Sequence, residues 1–160
     1  MSEPWTEERR GAIGDFLGRV HADIRRGLES TLEELDGVIR GGSPTAPAAV
    51  ALRAQLAMHC IAVCDLLTHH HEHEDDAFGP LERHMPELSP AIARLRQEHH
   101  VVAEAIAELR ELISGFEAGE RTAAEVRDDV ARLTADLEKH FAYEEAQLIP
   151  PLNRLGEQIA

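Results

Sequence analysis

The sequence predicts an all-α protein folded as an antiparallel up-down-up-down four-helix bundle. Three observations carry the prediction. Apolar residues recur at steps of three and four along four long stretches. Period-two runs of Val, Ile and Thr bounded by turn residues, the mark of strands, are nearly absent. Connections between the stretches are short, which favours antiparallel neighbours. A chain of 160 residues is one domain's length on a prior of about 100–200 residues per domain. We read residues 1–160 as a single domain, with a bundle core of about 15–152, a short N-terminal arm and a C-terminal tail.

The first stretch carries Ile13, Leu17, His21, Ile24, Leu28, Leu32, Leu35 and Ile39. Gly41-Gly42, Pro44 and Pro47 end it, because glycine relaxes the backbone and proline cannot continue the ladder. Its start is weakened by Gly11, Gly14 and Gly18. The second stretch runs Leu52, Leu56, His59, Val63, Leu66, His70, His73/Glu74 and Ala77/Phe78, with a break expected at Gly79-Pro80. The third is expected to start at Ser89 as N-cap with Pro90 as first helical residue. Its seam is Ile92, Leu95, His99, Val102, Ile106, Leu109, Ile113 and Phe116. The fourth opens on a Thr122-x-x-Glu125 capping box. It continues through Val126, Val130, Leu133, Leu137, His140, Glu144 and Leu148, and Pro150-Pro151 are expected to end it.

Composition excludes several functions. Lys and Arg total 16 against 30 Asp and Glu, a formal net charge of −14. Such a surface repels DNA, RNA and anionic membranes, so neither nucleic acid nor a membrane is expected as partner. Aromatics are 4% of the chain, too few for base-stacking platforms. The apolar runs fall short of the ~20 residues that span a bilayer. The acidic opening Met-Ser-Glu-Pro-Trp lacks a secretory pattern, so a cytoplasmic location is expected. Cys60 and Cys64 are four apart on one helix and read as reduced, half-buried apolar residues. No nucleophilic Ser/His/Asp set, phosphate loop or nucleotide fingerprint is visible.

Histidine is the anomaly: ten in all, six of them between His59 and His84. Each apolar seam holds one, namely His21, His70, His99 and His140. A lone histidine on an apolar face is usually a hydrogen-bonded core residue. Four, one per helix, need a shared purpose, since each unsatisfied buried polar group costs ~1–3 kcal/mol. Counting rise along each helix brings them level. His99 lies 18 residues before Glu117 and His140 18 after Thr122, so each sits ~27 Å from their joining loop. His70 precedes Gly79 by nine residues and His99 follows Pro90 by nine. His21 falls close to the same plane.

Two of the four bring carboxylates at the i,i+4 spacing that shares a helix face, in His70-x-x-x-Glu74 and His140-x-x-x-Glu144. The match extends to Phe78-x-Pro80 and Leu148-x-Pro150, at an offset of 70 residues. His21-x-x-Ile24-x-x-x-Leu28 matches His99-x-x-Val102-x-x-x-Ile106 at an offset of 78. The chain thus reads as two related helix pairs. Four imidazoles and two carboxylates inside one bundle suit a pair of iron ions, because both are good iron ligands and a carboxylate can bridge two metals.

With the pattern H…HxxxE…H…HxxxE at bundle spacing, the sequence resembles the hemerythrin-like (HHE cation-binding) domain family over roughly residues 15–152. The resemblance implies a non-haem centre of two irons bridged by oxo or hydroxo and carboxylate groups. By position, His21, His70, His99 and His140 would be terminal ligands, and Glu74 and Glu144 the bridging carboxylates. Two departures stand out. Oxygen-carrying members have a fifth histidine one turn after that of helix three, where this chain has Ala103. They also place the last carboxylate five residues after its histidine, at Glu145 here, while the internal repeat favours Glu144. Lacking that histidine, one iron is expected to have the more open shell, which favours reaction with peroxide or oxygen over reversible carriage.

The remaining candidates have blander readings. His69 and His71 point about 100° to either side of His70, and solvation or a rim position is expected for both. His73 is the best alternative ligand; His100 has its own spacing to Glu104 but stands beside the seam. His59, eleven residues before His70, is ~16 Å along the axis and reads as a buried hydrogen-bonded residue. His84 reads as surface, Glu72, Asp75 and Asp76 as a solvated acidic edge, and Tyr143 as either a donor near the site or a packing residue. The expected ligand-binding walls are Ile24, Leu66, Val102 and Leu137.

The expectation is a protein whose iron pair binds or reacts with oxygen or peroxide, as a catalase-like or oxidase activity in oxidative-stress defence. The alternative is an oxygen, nitric oxide or iron sensor or store without turnover. Oxygen, peroxide or nitric oxide would be the small ligand, an electron donor remains to be identified, and a monomer or weak homo-oligomer is expected.

Overall fold

A computed structural model describes residues 13–41 and 46–158. The N-terminal arm, residues 42–45 of the first connection and the last two residues lie outside the described part. The expected bundle is present: α1 spans Ile13–Gly41, α2 Ala46–His84, α3 Ser89–Glu117 and α4 Ala123–Gln158. Helix α1 packs on α4 and α2, and α3 packs on α2 and α4, which closes the ring. A single 3₁₀ turn, Pro86–Leu88, separates α2 from α3.

Local signals explain most boundaries. The capping box forms, with the Glu125 N–H donating to Thr122 Oγ1 at 3.1 Å. Gly119, at φ 81°, turns the chain out of α3. The N–H of Glu120 then reaches back to the Gly115 carbonyl at 2.8 Å and satisfies an otherwise open helix end. The start of α3 differs from expectation. Ser89 is already helical behind Leu88 as N-cap, and its hydroxyl donates to Glu82 at 2.6 Å instead of capping.

The prolines do not end their helices. Helix α2 runs through Pro80 to His84, and α4 runs through Pro150-Pro151 to Gln158. Each proline leaves the carbonyl four residues earlier without a donor. Those carbonyls belong to Asp76, Ala146 and Gln147, all exposed, so water can take the place of the missing N–H. The C-terminal segment read as a tail is therefore helix, and Leu152 and Leu155 pack against Leu17, Phe78, Ile92, Leu95 and Leu148. Gly14 permits this docking. A Cβ there would clash with the Ile149 carbonyl oxygen, and the Gly14 N–H donates to Asn153 Oδ1 at 2.7 Å.

Helix α2 is rotated relative to the expected seam. Leu66 is 45% exposed while Leu67 is buried. The inward row is Leu56, Cys60, Cys64, Leu67, His71, Glu74 and Phe78, one residue later than expected over its middle. The reason is that α2 carries apolar residues side by side on two rows, Val63 beside Cys64 and Leu66 beside Leu67, so either row could have served. By length and composition a window within Ala48–His84 is apolar enough to cross a bilayer, at mean hydropathy 1.5. Here its buried row lies in the bundle core instead. Cys60 and Cys64 are free thiols, more fully buried than expected, and burial pushes Cys60 up to about 12.

Candidate metal centre

Two apolar clusters occupy the bundle interior. One gathers Leu28, Leu35, Cys60, Leu109, Ile113 and Val130; the other gathers Leu17, Phe78, Ile92, Leu95 and Leu148. The buried polar side chains other than Thr31 form a separate group: His21, His71, Glu74, His99, His140 and Glu144. His70 joins them, with a side chain 9% exposed. All six residues expected as ligands are thus brought together by the four helices. The axial arithmetic works because rise per residue is a local property of the helix.

The contacts run across the bundle. His21 Nε2 lies 3.0 Å from His70 Nε2 and 3.2 Å from Glu144 Oε1. His70 Nε2 lies 2.9 Å from Glu74 Oε1. The other Glu144 oxygen is 3.2 Å from His140 Nε2 and 3.8 Å from His99 Nε2. Glu144 therefore presents one oxygen to His21 and the other to the His99 and His140 side. Glu74 Oε1 sits between His70 and His99, 3.6 Å from the latter's Nε2. Glu144 is 0% exposed. Glu145 lies at the edge of the layer, with one oxygen 3.7 Å from His21 Nδ1 and both held by Arg25, which also binds Glu138.

His71 contradicts its expected place at the rim. It is 6% exposed, its ring stacks on His99 with centroids 3.9 Å apart, and it meets the edge of His140 at 5.1 Å. The rotation of α2 that exposes Leu66 is what carries His71 inward. His69, His73, His84 and His100 are exposed. His59 is half-exposed and pairs with Glu34 at 2.8 Å, a correction to its expected burial. Of the expected walls, Ile24, Val102 and Leu137 are buried and Leu66 is not. Tyr143 packs against the second apolar cluster, with the Arg94 guanidinium 3.7 Å above its ring.

Carboxylates outside the group orient it. His99 Nδ1 lies 2.8 Å from Asp75 Oδ1, and His140 Nδ1 lies 2.8 Å from Glu98 Oε1. Because an ionised carboxylate only accepts, each Nδ1 must carry the proton and each Nε2 turns a lone pair inward. Asp75, expected on a solvated edge, has this partner; Glu98 carried no sequence signal at all. Arg94 holds the second Glu98 oxygen at 3.0 Å. Phe141 stacks on His21 at 4.0 Å and fixes that ring from the side.

The electrostatics of this layer are unfavourable without a cation. Burial, together with the neighbouring imidazoles, lowers His70 to about 4 and His71 to about 2. Burial and the hydrogen bond with Glu144 raise Glu74 to about 12. Burial also acts to raise Glu144, but hydrogen bonds from Glu74, His140, His21 and His99 outweigh it and hold Glu144 below the usual carboxylate range. Among the described residues, the buried side-chain atoms lacking a hydrogen-bond partner are Arg53 Nε and atoms of this one layer. The latter are His21 Nδ1, the Nε2 atoms of His71, His99 and His140, Glu74 Oε1 and both Glu144 oxygens. Most are lone-pair donors aimed at one another, which is costly unless a metal lies among them. They fall into two sets whose ligand atoms lie within 4.8 Å of one another: His21, His70, Glu74 and Glu144, and His71, His99 and His140. Imidazole and carboxylate in this mixture fit iron.

Comparison with known proteins agrees with the donor set. The chain matches the hemerythrin HHE cation-binding domain over residues 12–157, nearly its whole length, and belongs to that family. Membership implies metal binding, with iron the typical ion. No curated protein and no solved structure matches the chain.

Proposed function

We propose that this hemerythrin HHE domain holds a pair of irons and decomposes peroxide, in defence against oxidative stress. The observation that carries the reading is the single layer of unpartnered imidazole and carboxylate atoms, divided into two sets with Glu144 facing both. His21, His70, His99 and His140 would be terminal ligands, and Glu74 and Glu144 would be shared between the ions. The irons would supply the one- and two-electron chemistry that oxygen and peroxide require and that no side chain here provides.

The chain's own residues favour peroxide over reversible oxygen carriage. A carrier must keep water and protons from its ligand. Here a cleft of about 250 Å³, lined by Thr68, Glu72, Asp75, Arg96 and His100, reaches His71 and His99 from solvent. Such a polar route brings water and protons to the layer, and Asp75, which lines it and pairs with His99 Nδ1, can pass protons to and from the His99 ring. Peroxide disproportionation, in which one peroxide is oxidised to oxygen as another is reduced to water, needs no external electron donor. Oxygen reduction would need one.

The test is metal analysis of protein expressed with iron, followed by peroxide and oxygen consumption. About two irons per chain with fast peroxide loss and oxygen release supports the reading. Two irons with a stable, reversible oxygen spectrum would make the protein a carrier. Two irons with negligible turnover but iron-dependent binding of another protein would make it a sensor. Absence of iron would remove the reading altogether.

A further inference from the structure

The departure at Ala103 implies that the ion held by His99 and His140 has the more open shell. The structure argues the reverse. Adjacent residues on a helix point about 100° apart, so His70 and His71 cannot both face one ion. Two ions placed side by side across the bundle can be served by both. His70 Nε2 faces His21 and Glu74, at 3.0 and 2.9 Å. His71 faces the other way, stacked on His99 and edge-on to His140, with its Nε2 buried and unpartnered. Asp75 and Glu98 occupy the Nδ1 atoms of His99 and His140, so their Nε2 atoms are the ones available beside His71.

We propose that His71 is a metal ligand, the third imidazole on the ion held by His99 and His140, and that the pair's free coordination place therefore lies at His21 and His70. The inference rests on the two-metal reading above. With Glu74 and Glu144 shared, the His71 side has one protein donor more than the His21 side. Helix α2 thus supplies from its own row what Ala103 on α3 does not. The His21 side also has its own opening: an apolar cleft of about 430 Å³, lined by Leu17, Val20, Leu66 and Ala77, reaches His70 and Glu74 between α1 and α2. An uncharged small ligand, hydrogen peroxide or a diatomic gas, would enter there.

The test replaces the donor and keeps the ring. His71→Phe preserves the stack on His99 but cannot bind metal. Cobalt(II) titration of the iron-free protein gives stoichiometry and affinity, and the visible cobalt bands report coordination number independently of turnover. Wild type should take two ions. His71→Phe should bind one of them at least about ten-fold more weakly, with altered bands. His69→Phe and His73→Phe should match wild type. His71→Asn, small and poorly ligating, should repeat the result if phenylalanine disturbs the fold, as circular dichroism would reveal. Wild-type affinity and bands in both variants would make His71 a packing residue and overturn the assignment while leaving the two-metal reading intact. Wild type taking no metal would overturn both. For the free place, Ala77→Trp should slow nitric oxide uptake by iron-loaded protein several-fold, and Ala103→Trp should not. The opposite pattern would put the free place on the His99 side.

Discussion

The same four helices build two kinds of interior. Around Leu35, Ile113 and Val126 the buried surface is hydrocarbon with free thiols and is complete in itself. In the adjoining layer the helices present imidazoles and carboxylates, and many of their atoms find no partner. The first region gains stability by removing apolar surface from water, whatever else is bound. The second loses hydration without recovering it in hydrogen bonds, and a cation would be its missing partner. Folding and metal binding are therefore assigned to different parts of one core. Mutations in the two regions should separate them.

The largest effects belong to the polar layer. His70→Ala and His140→Ala should each lower iron content well below two per chain, measured by metal analysis, while far-UV circular dichroism stays helical. Full iron in both would refute the ligand set. Glu144→Ala should lose most iron and the charge-transfer absorption of a bridged pair, because Glu144 faces both sets of imidazoles. In the apolar region, Leu35→Ala or Ile113→Ala should destabilise the fold by about 2–5 kcal/mol in urea melts, with iron content unchanged. Loss of iron in these variants would show that the two regions are not separable.

Acid should sharpen the contrast in iron-free protein. His70, held at about 4 by burial, stays neutral in the fold, whereas in the unfolded chain it protonates near its ordinary 6.5. Between those values the unfolded state binds more protons. Stability should therefore fall as pH drops from 6.5 towards 4 and be unaffected by this group above 6.5. His70→Leu should flatten that part of the profile, as read in urea melts at each pH. The smallest effect is expected at Glu145, which is half-buried and paired with Arg25 at the edge. Glu145→Ala should cost less than about 1 kcal/mol and keep both iron and its spectrum. Loss of iron there would mean that α4 turns Glu145 inward when loaded.

The helices, their capping box and the level at which His21, His70, His99 and His140 meet were legible in the sequence. Each depends on local quantities, the 3.6-residue period and the 1.5 Å rise, which need no neighbour to define them. Glu144 was likewise readable, because it repeats Glu74 at the same spacing from its histidine. What the chain could not specify locally was rotation about an axis. Helix α2 offers Leu66 and Leu67, and His70 and His71, on adjacent rows, and only packing against α1 and α3 chose between them. That choice buried His71 and exposed Leu66. Tertiary structure also decided the roles of Asp75 and Glu98, acidic residues on helix surfaces until the rings of His99 and His140 come within 2.8 Å. The prolines of α2 and α4 belong with these. Whether a proline ends a helix depends on whether water can reach the carbonyl it strands, and exposure is a property of the folded whole.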